Sequence, residues 1–108
     1  MKRIEYHKLV RDKIPEIIEK SGKSSTYSVL SMQDYITMLD QKLNEELAEY
    51  QESKSMEELA DLLEVMSAVA SARGSSIEEV ELLRQVKKEH RGGFEKRILL
   101  EEVLEEGE

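Results

Sequence analysis

The sequence predicts an all-α fold, a four- to five-helix bundle built on an antiparallel helical hairpin with at most a small β addition, and three observations carry this expectation. Ile36, Leu39, Leu43, Leu47 and Tyr50 recur at spacings of three and four, and Leu59, Leu62, Leu63, Met66, Val69 and Ala70 do the same further on. That is the period of helices that bury one stripe. Only Ser53 to Ser55 separates the two windows, a break short enough to turn the second helix back along the first. One proline and five glycines in 108 residues leave few other interruptions.

The elements follow in order. Asp12 to Lys20 reads as a short helix, with Asp12 as N-cap, Pro15 in the first turn, Gly22 just past the end, and a narrow stripe of Ile14, Ile17 and Ile18. Lys23 to Leu30 alternates Tyr27 and Val29 against Ser and Thr, so it is a loop or a short strand. Ser31 caps a long helix from Met32 to about Glu52, and a third helix runs from about Met56 to Ala72, ending at Arg73-Gly74. Ser76 with Glu79 forms a capping-box pattern that opens a fourth helix to about His90, stopped by Gly92-Gly93. Phe94 to Leu100 has the composition of a short strand, and residues 101 to 108 form an acidic tail that frays. Residues 1 to 108 are expected to make one domain.

Composition narrows the function classes. Without cysteine there is no disulfide, zinc–thiolate site or cysteine nucleophile. Twenty-four acidic against sixteen basic side chains give a net charge of −8, which disfavours a nucleic-acid polymer as partner. No apolar run reaches the ~18 residues of a membrane span, and the basic opening meets no apolar signal region, so the expectation is a cytoplasmic protein with no membrane partner.

The informative residues are acids on the buried side of the hairpin. At ~100° per residue, Glu46 lies about 20° from Leu39 and Glu49 about 60° further round, whereas Glu45 and Glu52 point away. On the next helix Glu58 lies about 20° from Val65 and Val69, with Asp61 about 60° beyond it and Glu57 and Glu64 outward. Each helix carries an acid pair at i, i+3 along the edge of its apolar stripe, and packing the stripes makes the pairs face each other. Carboxylates gathered in a partly dry groove repel unless protons or cations intervene. All-oxygen ligation suits a hard divalent cation such as Mg²⁺, Mn²⁺ or Ca²⁺. The competing readings are surface acids, and for Glu58 a capping box with Ser55.

Glu46-Leu47-Ala48-Glu49 followed by Glu58-Leu59-Ala60-Asp61 resembles the ExxE…ExxD signature of the all-α nucleoside triphosphate pyrophosphohydrolases, the MazG-like group that includes phosphoribosyl-ATP pyrophosphohydrolase. Lys42-Leu43-Asn44-Glu45-Glu46 resembles its KLxEE lead-in, Lys8 to Pro15 the opening of a small single-domain branch, and Arg91-Gly92-Gly93-Phe94 a further segment of that branch. The eight residues between Glu49 and Glu58 make a tight turn, and Leu62-Leu63-Glu64-Val65 follows Asp61 in place of the tyrosine and histidine features of the phosphoribosyl-ATP enzymes. Both departures point away from phosphoribosyl-ATP.

The resemblance implies Mg²⁺-dependent hydrolysis of a nucleoside triphosphate to monophosphate and pyrophosphate by a homo-oligomer, a dimer or tetramer, and suggests house-cleaning of non-standard nucleotides as its role. It implies Glu46, Glu49, Glu58 and Asp61 as metal ligands, with Mn²⁺ as a possible substitute ion. Glu45 and Glu49 are the candidates for the carboxylate that accepts the attacking water's proton. Lys42, Lys87, Lys88 and Arg91 are candidates for the phosphates, against plainer roles as an i, i+4 partner of Glu46 and as cations at a helix C-terminus. Lys8, Arg11 and Lys13 form another basic cluster, read as a solvated face. Tyr6, Tyr27, Tyr35, Tyr50 and Phe94 are either core or base-stacking residues. His7 and His90 have no metal-ligand spacing. The alternative to an enzyme is a helical dimerisation or adaptor module whose acids are surface or capping groups.

Overall fold

The computed structural model describes residues 2–107, and these contain four α-helices and no strand. The chain divides into two compact units, 1–77 and 78–108. The helices are α1 (Ile14–Lys20), α2 (Met32–Ser53), α3 (Met56–Ala72) and α4 (Ile77–Arg91). No helix among the described residues is long and apolar enough to cross a membrane.

The first unit is organised by α2 and α3, which among the described residues are its only helices whose backbones run side by side. Ser31 caps α2 through its side chain, which accepts the Asp34 N–H at 3.2 Å. The helix closes at Lys54, which takes the left-handed conformation (φ 57°) and donates its N–H to the Tyr50 carbonyl. After Lys54 and Ser55 the chain re-enters helix at Met56, so the expected break is a two-residue turn. Contacts across the pair run antiparallel, since Arg73 at the end of α3 reaches Asp40 early in α2 at 2.8 Å. Gly74 (φ 84°) ends α3, a left-handed position that disfavours side chains with a Cβ.

Two expectations at the N-terminal end are corrected. The N-cap of α1 is Lys13, with no side-chain cap bond, rather than Asp12, and Pro15 sits in the first turn where its missing N–H costs nothing. Residues 23–30 form no strand and run as irregular chain into Ser31.

Burial in this unit is thin and lies on the facing stripes. Leu39 (3% exposed) and Ala70 (8%) are the buried apolar residues, and the third buried side chain is Glu46. Leu47, Leu59, Leu63 and Met66 stay exposed, because two packed helices cover only one side of each stripe.

The second unit is the rest of α4 and the chain after it. Acidic residues open α4 and Lys88, His90 and Arg91 close it, as the helix dipole favours. Gly92 (φ 82°) donates its N–H to Lys88 and ends the helix one residue later than expected. The expected strand over Phe94 to Leu100 is absent: Arg97 (φ 56°) closes a turn onto the Phe94 carbonyl, and 98–107 carry no regular structure. Glu108, the last residue of the expected acidic tail, lies outside the described residues.

Candidate metal centre

The hairpin brings three of the predicted acids together. One carboxylate oxygen from each of Glu46, Glu58 and Asp61 lies within 4.8 Å of the others. Glu46 shares a helical face with Leu39 and is buried with it, at 7% exposure, while Glu58 and Asp61 are half-buried across the groove. Glu46 Oε2 and Glu58 Oε2 are buried without a hydrogen-bond partner. A buried polar atom without a partner is unfavourable, and a bound cation would satisfy both oxygens.

The electrostatics agree with the geometry. Burial pushes the Glu46 carboxyl above the usual carboxylate range, the adjacent Glu49 adds to this, and Asp61 contributes further, with Lys42 pulling the other way. Glu58 is likewise raised, first by desolvation and then by Glu49 and Asp61. Glu49 therefore adjoins the cluster, yet it is exposed and lies outside the three-oxygen group.

The capping alternative for Glu58 is half realised. Ser55 Oγ accepts the Glu58 N–H at 3.3 Å, as a capping box requires. The reciprocal bond is missing, because the Ser55 N–H goes to Ser53 Oγ at 3.3 Å instead. The helix starts at Met56 and the Glu58 carboxylate is still available to the groove.

Hard cations fit this donor set. The ligands would be Glu46, Glu58 and Asp61, with Glu49 within reach at the rim.

Cations surround the acids, and here sequence reasoning missed two residues. Lys42 lies between Glu45 (3.7 Å) and Glu46 (3.6 Å), realising its ion-pair role. Lys8 Nζ donates to Glu45 Oε1 at 3.0 Å, and Arg11 Nη2 donates to Asp61 Oδ1 at 2.7 Å. The basic opening is thus not merely a solvated face. Nor does Glu45 simply point away, for it is half-buried under Lys8 and Lys42, and its hydrogen bond from Lys8 holds the carboxyl below the usual range. The only signal in the sequence was the basic cluster itself; nothing local said which acids it would meet.

Lys87, Lys88 and Arg91 belong to the second unit, where they gather with Arg84, Gly92 and Phe94 around an open concavity of about 740 Å³. Phe94 there is 96% exposed, which removes the core reading for that ring. Tyr6 and Tyr27 are also exposed, whereas Tyr35 and Tyr50 are half-buried on α2.

Comparison with known proteins adds little to this picture. No family model matches the chain, and no solved structure matches it. A protein of Mycolicibacterium smegmatis (strain ATCC 700084 / mc(2)155), described only as uncharacterized, is 51% identical over 41 residues. That match spans 38% of this chain and 42% of the relative, so the chain covers less than half of that protein.

Proposed function

We propose that the protein is a Mg²⁺-dependent nucleoside triphosphate pyrophosphohydrolase of the MazG-like kind, releasing nucleoside monophosphate and pyrophosphate. One observation carries the reading: buried Glu46 and half-buried Glu58 each hold a partnerless oxygen beside Asp61, in the ExxE…ExxD pattern that the sequence resembles. A divalent cation would satisfy both oxygens and offset the repulsion among the acids. The bound cation would neutralise phosphate charge and polarise the phosphorus and the attacking water.

The chain's own residues supply the rest. Glu49, exposed beside Glu46 and Glu58, is better placed to take a proton from water than Glu45, whose carboxyl is held by Lys8 and Lys42 and made less basic. Water's oxygen joins phosphorus, the α-β anhydride bond breaks, and pyrophosphate leaves. Lys42 at the inner edge of the groove offers positive charge for the phosphates, while Lys87, Lys88 and Arg91 form a basic cluster of their own in the second unit.

A homo-oligomer, dimer or tetramer, belongs to this reading. The exposed Leu47, Leu59, Leu63 and Met66 on the hairpin are apolar surface that a second hairpin would cover, completing a helix bundle and drying the groove. The same face would serve a non-enzymatic dimerisation module, so turnover separates the two. Purified protein is incubated with ordinary and modified nucleoside triphosphates and Mg²⁺, and the products are resolved. Metal-dependent monophosphate plus pyrophosphate, lost in Asp61→Ala, is the expected result. Dimerisation without any turnover supports the module instead.

A further inference from the structure

Resting on the cation-site reading, we infer that residues 8–11 form a phosphate clamp, with Lys8 and Arg11 as the groups that position the anionic tail of the substrate over the carboxylate groove. The two residues are three positions apart on irregular chain, just after His7 turns the backbone through a left-handed conformation (φ 47°). They land on different helices. Lys8 reaches Glu45 on α2, and Arg11 reaches Asp61 on α3, 37 and 50 residues away in sequence. The segment therefore straps across the hairpin at the level of the acids, with one cation on each side of the groove.

Both cations are committed only in part. Arg11 Nη2 meets Asp61 Oδ1, which leaves the other Asp61 oxygen and the remaining guanidinium N–H groups available. The two side chains are more than half exposed, Lys8 at 55% and Arg11 at 57%. Arg11 also lines an open concavity of about 430 Å³ along α3, with Ala60, Leu63 and Ser67, so solvent-side ligands have access to it. Exposed ion pairs of this kind add little to stability, yet two long-range pairs from one four-residue segment reach the two helices that carry the acids.

The charge arithmetic supplies the reason. Without a ligand, Lys8 and Arg11 partly offset the repulsion among the acids. With a divalent cation in place the groove no longer needs them, and their spare donors face a ligand that is anionic and rich in acceptor oxygens. A guanidinium is suited to bidentate phosphate contacts and an ammonium to a point charge, so Arg11 is the larger contributor. The ligand class is a polyphosphate chain complexed to a divalent cation. The base is not read by these residues.

The test uses two probes on the full chain, Mn²⁺ alone and preformed Mn²⁺–tripolyphosphate, with wild type, Lys8→Ala, Arg11→Ala, Arg11→Lys and, as a control on α1, Lys20→Ala. Thermal melts confirm that each variant folds. The expected result is that every variant binds Mn²⁺ at least as well as wild type, while Arg11→Ala weakens tripolyphosphate binding by about tenfold or more, Lys8→Ala by several-fold, and Arg11→Lys recovers part of the loss. Lys20→Ala matches wild type. Unchanged tripolyphosphate binding in Lys8→Ala and Arg11→Ala, with Mn²⁺ binding intact, overturns the clamp and leaves the cation site standing. Failure of wild type to bind Mn²⁺ overturns the cation site and the clamp together.

Discussion

Replacing Glu46 by Gln keeps the shape of the side chain and removes its charge, which makes it the sharpest probe of the groove. In the metal-free protein the substitution relieves a buried carboxylate whose Oε2 has no partner and whose neighbours include Glu49 and Asp61. The Gln amide N–H can donate to the neighbouring carboxylates where the Glu46 oxygen cannot, and satisfying a buried group is worth about 1–3 kcal/mol. Against this stands the loss of the Lys42 ion pair at 3.6 Å, an i, i+4 contact worth about 0.3–0.5 kcal/mol, and Lys42 keeps Glu45. The net is a gain of about 1 kcal/mol, or roughly 4–8 °C in melting temperature for a domain of this size. Divalent cation reverses the order. Wild type gains about 1.4 kcal/mol at a metal concentration ten times Kd, and Glu46→Gln, short of a ligand, gains much less. Melting both proteins by circular dichroism, in chelator and then in millimolar MgCl₂ or MnCl₂, should show the variant more stable without metal and losing that lead with it. A variant less stable than wild type in chelator would refute the claim that Glu46 is strained by its surroundings.

Further outcomes follow from the groove and from the start of α3. Glu46 and Glu58 are both raised by burial and by neighbouring acids, so the folded state holds their protons more tightly than the unfolded state does. Stability without metal should therefore be unpenalised at or below the ordinary carboxylate range and fall as pH rises through the raised values, a limb that a pH series of melts will show and that Glu46→Gln will flatten. Glu45 acts in the opposite sense, its contribution being lost only as pH drops below the ordinary range towards its lowered value. At the start of α3, Ser55→Ala should cost about 1 kcal/mol in urea unfolding because its hydroxyl accepts the Glu58 N–H, whereas Glu58→Ala removes no capping bond and should not destabilise the metal-free protein.

The acid pairs were legible because they are local: fixed helical rotation puts Glu46 beside Leu39 and Glu58 beside Val65, and α2 and α3 follow the expected bounds to within a residue. The antiparallel turn was legible for the same reason, from three residues between two apolar stripes. What failed was non-local or depended on weak propensity. Lys8 and Arg11 meet their acids across 37 and 50 residues, a distance over which charge patterning specifies no partner. Glu45 was assigned outward from rotation alone, which cannot foresee a strap laid over it. The strand expected at Phe94 to Leu100 rested on apolar composition, with no sheet partner to satisfy its backbone. The capping-box pattern at Ser55 named the right donor and acceptor for one bond and missed that Ser53 would take the other.

The central claim is that Glu46, Glu58 and Asp61 form a site for a divalent cation, and direct Mn²⁺ titration followed by electron paramagnetic resonance tests it without reference to any substrate. Wild type should bind Mn²⁺ with competition by Mg²⁺, Glu46→Gln and Asp61→Ala should lose at least about tenfold in affinity, and Glu52→Gln, an exposed acid on the same helix, should bind as wild type does. Equal Mn²⁺ binding in all four proteins, or none in wild type, would contradict the account.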